Sequence, residues 1–454
     1  MPSMSRSPKR RRRKIRASAI KIAVGTLAAL VALGACTSDG GEPRSERPTP
    51  AETVAPGSGS RVDFGVIGEP ATLDPYAPTA SDLTLALVRP LYRSLFRFSP
   101  EGTPEPDLAT GMERVPGGVR VELDGASWSD GSRITASDVV RSVRRARPPS
   151  GFAGLRARAV DRDAVELLGG ERAWPQRLAR ATFVLPGGKA KQGIYSGPLR
   201  LVGRTVGLRV VYSPNPVWDG EVALRKLRVL FVEDTGTMRS LLEDGRLDAA
   251  AIPSSVNLAA RLRAGSIAFD RTLGRESVWL DLSSLGRDTR RALASSLDRD
   301  ELEEGFVRSD GRVSDTLDPR PGAEGASGPF EAPPLTSGTV ETFSLAVPQG
   351  DELLRLVQRA IQLQLSERDI RIDLVTIDAR RFYGPWRSDA PVDAFLLRTL
   401  SGAGDARRVV RSYRAVPLFQ VATYLAGNGV EGLEVNPTLD GPLWNAHNWR
   451  RKAS

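Results

Sequence analysis

The sequence predicts an α/β protein of two or three domains, on three observations. About 400 residues follow the N-terminal leader, enough chain for more than one hydrophobic core. The chain is 40% hydrophobic and 26% charged, an ordinary balance for a globular protein and a poor one for wholesale disorder. Strand-like and helix-like patterns alternate along it, most plainly between residues 341 and 377.

The elements are taken from the N-terminus. Residues 1–35 carry nine bases (Arg6, Lys9, Arg10 to Arg13, Lys14, Arg16 and Lys21) and no acid. The whole chain has a net charge of +10, so everything from Cys36 onward carries only +1. The basic balance belongs to the leader, and no nucleic-acid partner is expected. The basic run leads into 14 apolar residues, Ile22 to Ala35, too few to span a bilayer but suited to a cleavable export signal. Leu33-Gly34-Ala35-Cys36 resembles the bacterial lipobox, in which small residues precede a cysteine that is lipidated and becomes the first residue. The resemblance implies a lipid anchor at Cys36 and a place on the extracytoplasmic face of the cell membrane. Buried acyl chains contribute roughly 0.8 kcal/mol per CH₂, so the two or three chains of a lipoprotein hold it firmly. The competing reading is a secreted protein with a chance cysteine.

Residues 36–60 are rich in Pro, Gly, Ser, Thr and Glu, and Val54 is their only large apolar residue. They predict a disordered tether, with the fold beginning near Arg61. One cysteine excludes an internal disulfide framework and a thiolate zinc cluster, and one histidine, His447, excludes a multi-histidine metal site. No cofactor or metal is expected. After residue 35 no apolar run approaches the roughly 18–20 residues that a spanning helix needs.

Within the body, Asp130-Gly131 predicts a turn, and Thr135 with Asp138 three residues later approximates a capping box. Val139, Val140 and Val143 then form one helix face, which Pro148-Pro149 ends. Further on, Phe343, Leu345 and Val347 alternate as in a strand, and Pro348-Gln349-Gly350 turns the chain. Leu353, Leu356, Val357, Ala360 and Ile361 recur at helical spacing, and Ile370, Ile372 and Leu374 alternate again. This is a βαβ unit, with parallel strands. Ligands of open parallel sheets lie beyond the carboxyl ends of the strands, which nominates Gln349.

Eight segments then match one family in order. Gly68-Glu69-Pro70-Ala71-Thr72-Leu73-Asp74-Pro75 resembles the opening of the mature oligopeptide- and dipeptide-binding lipoproteins, solute-binding family 5 of ABC importers. Leu91-Tyr92 to Leu95, Gly102 to Ala109, Trp128 to Val143 and Ser196-Gly197-Pro198 resemble further segments of that family. So do Asn215 to Gly220, Leu242 to Asp248 and Arg291 to Arg299. The resemblance thins after residue 300. It implies a two-lobed, three-domain periplasmic-binding-protein fold of type II, with mixed sheets and a hinge. Domain I would comprise residues 61–95, 191–270 and 416–454. Domain II would be residues 96–190, and domain III a shortened 271–415.

The resemblance also implies the function: trapping a peptide or other small polar solute between lobes and passing it to permease subunits, as a monomer and without catalysis. By position, the ligand site would include Tyr76, Thr79 and Ser81 after the Leu73-Asp74-Pro75 turn, and Arg398, Thr399 and Ser401 near a strand end. Tyr76 has an alternative role in the first sheet's packing. Arg398 would meet an anionic ligand or stand solvated. Trp386 would line the cleft or sit in the core, and His447 reads as structural. Thr399 stands where peptide-binding members have Trp, and Gly402 where they have the Asp that pairs with a peptide amine. Asp405 would replace that Asp only with a rearranged loop. These departures, with the short third domain, motivate a second reading, a non-transporting envelope scaffold.

Overall fold

The computed structural model describes residues 60–147, 150–169, 173–187, 193–315, 317, 330, 342–382, 390–399 and 406–452. β1 (Ser60–Ile67) buries Val62, Phe64 and Val66. α1 (Asp82–Val88) starts at Ser81, whose hydroxyl accepts from the Thr84 N–H and satisfies one of the helix's orphan donors.

The chain next builds a separate small sheet. β2 (Phe96–Phe98) pairs with β3 (Pro104–Pro106), and β4 (Ala109–Val115), β5 (Gly118–Leu123), β6 (Arg156–Ala159) and β7 (Ala164–Leu168) form an antiparallel sheet in the order β4-β5-β7-β6. α2 (Ala136–Arg145) packs on β6 and β7, with Val139, Val140 and Val143 buried as their spacing predicts. α3 (Trp174–Leu178) carries the buried Trp174 into the same core.

The chain then returns to β1. Gly197 enters where a Cβ would lie 2.4 Å from the Pro90 carbonyl oxygen, so only glycine fits this approach. β8 (Leu199–Thr205), β9 (Arg209–Pro214), β10 (Leu224–Val232), α4 (Thr235–Glu243), β11 (Ala249–Pro253) and α5 (Leu258–Ala264) follow. β1 lies parallel between β10 and β11, and β9 and β8 extend the sheet antiparallel.

A long strand, β12 (Phe269–Asp281), leads into a second body: α6 (Arg287–Ser296), α7 (Arg299–Phe306), β13 (Gly311–Val313), β14 (Thr342–Pro348), α8 (Glu352–Ser366), β15 (Arg371–Ile377), α9 (Ala379–Phe382), β16 (Ala394–Thr399) and α10 (Ala406–Arg411). β17 (Ala415–Ala426) leads back, and β18 (Val430–Glu431) pairs with β19 (Arg450–Arg451) in the tail. The expected βαβ unit is present, with β14 and β15 parallel from Thr342 opposite Arg371 to Pro348 opposite Ile377. Its detail differs from the periodicity. α8 buries Leu354 and Gln358 while Leu356 is half-buried, and Leu374 in β15 is exposed because β15 is the edge of the sheet.

One mixed sheet runs through the molecule in the order β15-β14-β16-β12-β17-β11-β1-β10-β9-β8, with β13 on β17. Its hydrophobic cores are separate. Val62, Phe64 and Trp449 belong to one cluster on the β1 side, and Met238, Ile252 and Leu258 to another. The small sheet's core joins this first lobe through Leu73 and Tyr92, which pack against both clusters. Residues from Val278 to Val421 form the core of the second lobe. β17 changes cores between Val421 and Ala422, and β12 carries an irregularity between Thr272 and Glu276 at the same level. Bulges bend a strand and increase its twist, so β12 alters course where it passes between lobes.

Candidate functional site

The carboxyl ends of the parallel strands in the two lobes meet. In the first lobe these ends are Gly68 after β1, Glu233 after β10 and Ser254 after β11; in the second they are Gln349 after β14 and Thr399 at the end of β16. Gly350 (φ 89°) approaches so closely that a Cβ there would be 2.5 Å from the Glu233 carbonyl oxygen. Arg261 of α5 pairs with Glu352 of α8 at 3.2 Å.

At the centre lies Arg398. Its Nη1 donates to the Ser254 carbonyl at 2.7 Å, its Nη2 to Asp351 Oδ2 at 2.7 Å, and its Nε is 3.4 Å from Glu276 Oε2. The three side chains retain only 8%, 12% and 15% exposure for Arg398, Asp351 and Glu276. Local structure explains each position. Asp351 is the N-cap of α8, and its Oδ1 accepts from the Leu354 N–H at 3.0 Å. Glu276 resumes regular pairing just after the β12 irregularity, opposite Val421. Arg398 stands opposite Val278 on the neighbouring strand, on the same face of the sheet as Glu276. Burial raises the Glu276 pKa, Arg398 opposes this, and Asp351 and Asp82 add to it, leaving the carboxyl pushed up to about 7. The cluster therefore holds one guanidinium against two carboxylates, one of which titrates near neutrality.

The sequence-nominated residues fall in different places. Tyr76 is buried in the small-sheet core, with its hydroxyl donating to the Phe183 carbonyl at 2.5 Å. Ser81 is occupied as the α1 cap, and Thr79 is half-buried in the preceding loop. Gln349 is exposed at the β14 end, and its backbone N–H donates to Ile377 O at 2.7 Å. Arg398 is not solvated, because two acids answer its charge. Thr399 Oγ1 accepts from Trp279 Nε1 at 3.2 Å on the opposite face of the sheet. Trp386, Ser401, Asp405 and Cys36 lie outside the described residues.

Sequence reasoning missed Glu276 and Asp351. Asp351 had a local signal, an acid at the start of a predicted helix directly after a strand. Glu276 had none, since its partners are about 75 and 120 residues away in the chain.

No group of three metal-ligating side chains gathers among the described residues. His447 lies edge-on to Trp218, ring centroids 6.3 Å apart, and burial lowers its pKa to about 4, so the imidazole is neutral at pH 7.

Residues 103–414 match the model for bacterial extracellular solute-binding proteins, family 5. No curated protein matches the chain. Among solved structures, MoaA of A. tumefaciens R10, in complex with mannopinic acid, is similar over 87% of this chain and all of its own, at 20% identity and TM-score 0.72. The oligopeptide-binding protein AppA of Bacillus subtilis, in complex with a nonapeptide, covers 87% of this chain and 99% of its own, at 16% identity and TM-score 0.71. OppA of Burkholderia pseudomallei covers 87% of this chain and all of its own, at 18% identity and TM-score 0.71. The fold is thus the two-lobed α/β fold of periplasmic binding proteins. With more than half its length matched by the family model, the chain belongs to the family 5 extracellular solute-binding proteins.

Proposed function

We propose that this chain is a lipid-anchored solute-binding protein of an ABC importer, which closes two lobes around a peptide or other small polar solute and delivers it to a permease. The observation that carries this reading is the pair of crossing strands, β12 and β17, joining two separately cored lobes whose strand ends face one another. Such a connection bends where it changes cores and leaves each lobe intact, as hinge closure needs. The expected domain division is part of the proposal: a discontinuous domain I with an inserted domain II in the first lobe, and a shortened domain III in the second. The anchor is proposed at Cys36, and the protein acts as a monomer. Among the described residues no helix is long and apolar enough to cross a membrane. Tyr76 and Ser81 are engaged within their own lobe, so ligand contact is assigned chiefly to Gln349, Arg398 and the cleft loops, with Thr79, Thr399, Trp386 and Ser401 as proposed neighbours.

A thermal-shift panel of peptides, amino acids and sugars tests the reading. Binding stabilises by RT ln(1 + [L]/Kd), about 2.7 kcal/mol at a hundredfold excess over Kd, so a true ligand raises Tm by several degrees. A Tm unmoved across the panel favours a second reading, an envelope scaffold that no longer transports. The internally paired Arg398 and the absence of the family's Trp and Asp at Thr399 and Gly402 support that alternative.

A further inference from the structure

We propose that Arg398 is a clasp between the lobes, anchored in the second lobe by Asp351 and Glu276 and gripping the first lobe's backbone at Ser254, so that the lobes stay together with no solute bound. The inference rests on the proposed closure of two lobes and specifies what controls it.

The clasp is asymmetric. On the second-lobe side Arg398 makes two ion pairs, at 2.7 Å to Asp351 and 3.4 Å to Glu276. On the first-lobe side, among the described residues, its Nη1 donates to the Ser254 carbonyl at 2.7 Å. The planar guanidinium makes this possible, because its fixed fork donates to the Ser254 carbonyl and to Asp351 at once while Nε stands 3.4 Å from Glu276 as an ion pair, whereas an ammonium is a single point of charge. Opening would break this neutral-acceptor bond and leave both charge pairs intact. No buried charge would be stranded, so the clasp can release without the large penalty of separating a buried pair. Around it, Gly350 against Glu233 and Arg261 against Glu352 bring the same two surfaces together. The groups facing Glu276 are Arg398 from β16, Asp351 from α8 and Asp82 from α1. Asp82 comes from the first lobe and repels Glu276, opposing the grip that Arg398 supplies.

The test reads the distance between lobes in solute-free protein. A Cys36→Ala chain has no other cysteine, so Asp244→Cys at the end of α4 and Arg368→Cys beyond α8 place two spin labels on exposed positions, one on each lobe. Native mass spectrometry verifies that each sample is empty before distances are recorded by double electron–electron resonance. The parent should give one short distance. Arg398→Lys keeps the charge but loses the fork, and Asp351→Asn removes an anchor charge while keeping a good helix cap. Both should add a longer-distance population at least tenfold more abundant than in the parent, with an unchanged near-ultraviolet circular dichroism spectrum. Identical distance distributions in all three folded proteins would overturn the clasp. Because no solute is present, that failure would leave the solute-binding proposal standing, and a failed ligand screen would leave the distance result standing.

Discussion

Glu276 is more basic than an ordinary carboxylate because burial outweighs the attraction of Arg398, while Asp351 and Asp82 add repulsion. The native state therefore holds this proton more tightly than the unfolded chain does. Between the unfolded value near 4.5 and the native value of about 7, the native chain binds more protons, so stability falls as pH rises. The slope from this one group is at most about 1.4 kcal/mol per pH unit. Glu276→Gln cannot titrate, and urea denaturation from pH 4.5 to 7.5 should show a flatter profile than the parent; parallel profiles would refute the assignment. Asp107 behaves in the opposite way. Burial works to raise its pKa, but Arg89 and Arg93 more than reverse that, and its carboxylate accepts from both and from the Ser94 N–H, each at 2.8 Å. Arg89 also reaches Asp440 of the C-terminal tail at 3.2 Å, joining three distant segments in one buried network. Asp107→Ala removes the carboxylate that Arg89 and Arg93 share, leaving Asp440 to Arg89 and Asp124 to Arg93, and should cost about 3 kcal/mol by denaturant titration. A cost below 1 kcal/mol would show that the network is solvated. None of this was legible in the sequence, because pairs such as Arg89 with Asp440 are set by tertiary return of the chain rather than by spacing.

Local chemistry was more transparent at the level of elements. The Thr135 N–H and hydroxyl both donate to Asp138 Oδ2 at 2.9 Å, so aspartate completes the N-terminal turn of α2 where Glu or Gln is usual. Asp138 is buried and also accepts from Arg141. Asp138→Ala should lower stability by about 1–2 kcal/mol, and Asp138→Asn should recover part of the loss; equal costs would place the effect in charge rather than capping. The β14-α8-β15 unit was readable from periodicity because helix and strand faces both meet one core. The weaker reading at Leu374 has a physical cause, since an edge strand can turn apolar side chains to solvent where a central strand cannot. The crossing strands were not readable at all. β17 is buried on both faces for most of its length, so its sequence lacks the alternation that would mark where it changes lobe.

For the molecule as a whole, the net charge of +10 divides into a leader with nine of those charges and a nearly neutral body. The proposed export and lipid anchoring rest on the leader, and Cys36→Ala should move the protein from the membrane to the soluble fraction; unchanged fractionation would refute the lipid anchor. The family was legible from eight short motifs between residues 68 and 300 because turns and helix starts preserve residue types that side-chain packing does not dictate. The site was less legible because Arg398, Asp351 and Glu276 are gathered by tertiary pairing rather than by spacing in the chain. The central claim is that two lobes close on a small solute, and gentle purification followed by native mass spectrometry tests it most directly. The account predicts one extra mass of a few hundred daltons per chain, lost on denaturation and restored when the released compound is added back. A chain that is always empty, and that takes up none of the compounds extracted from its own cells, would contradict it.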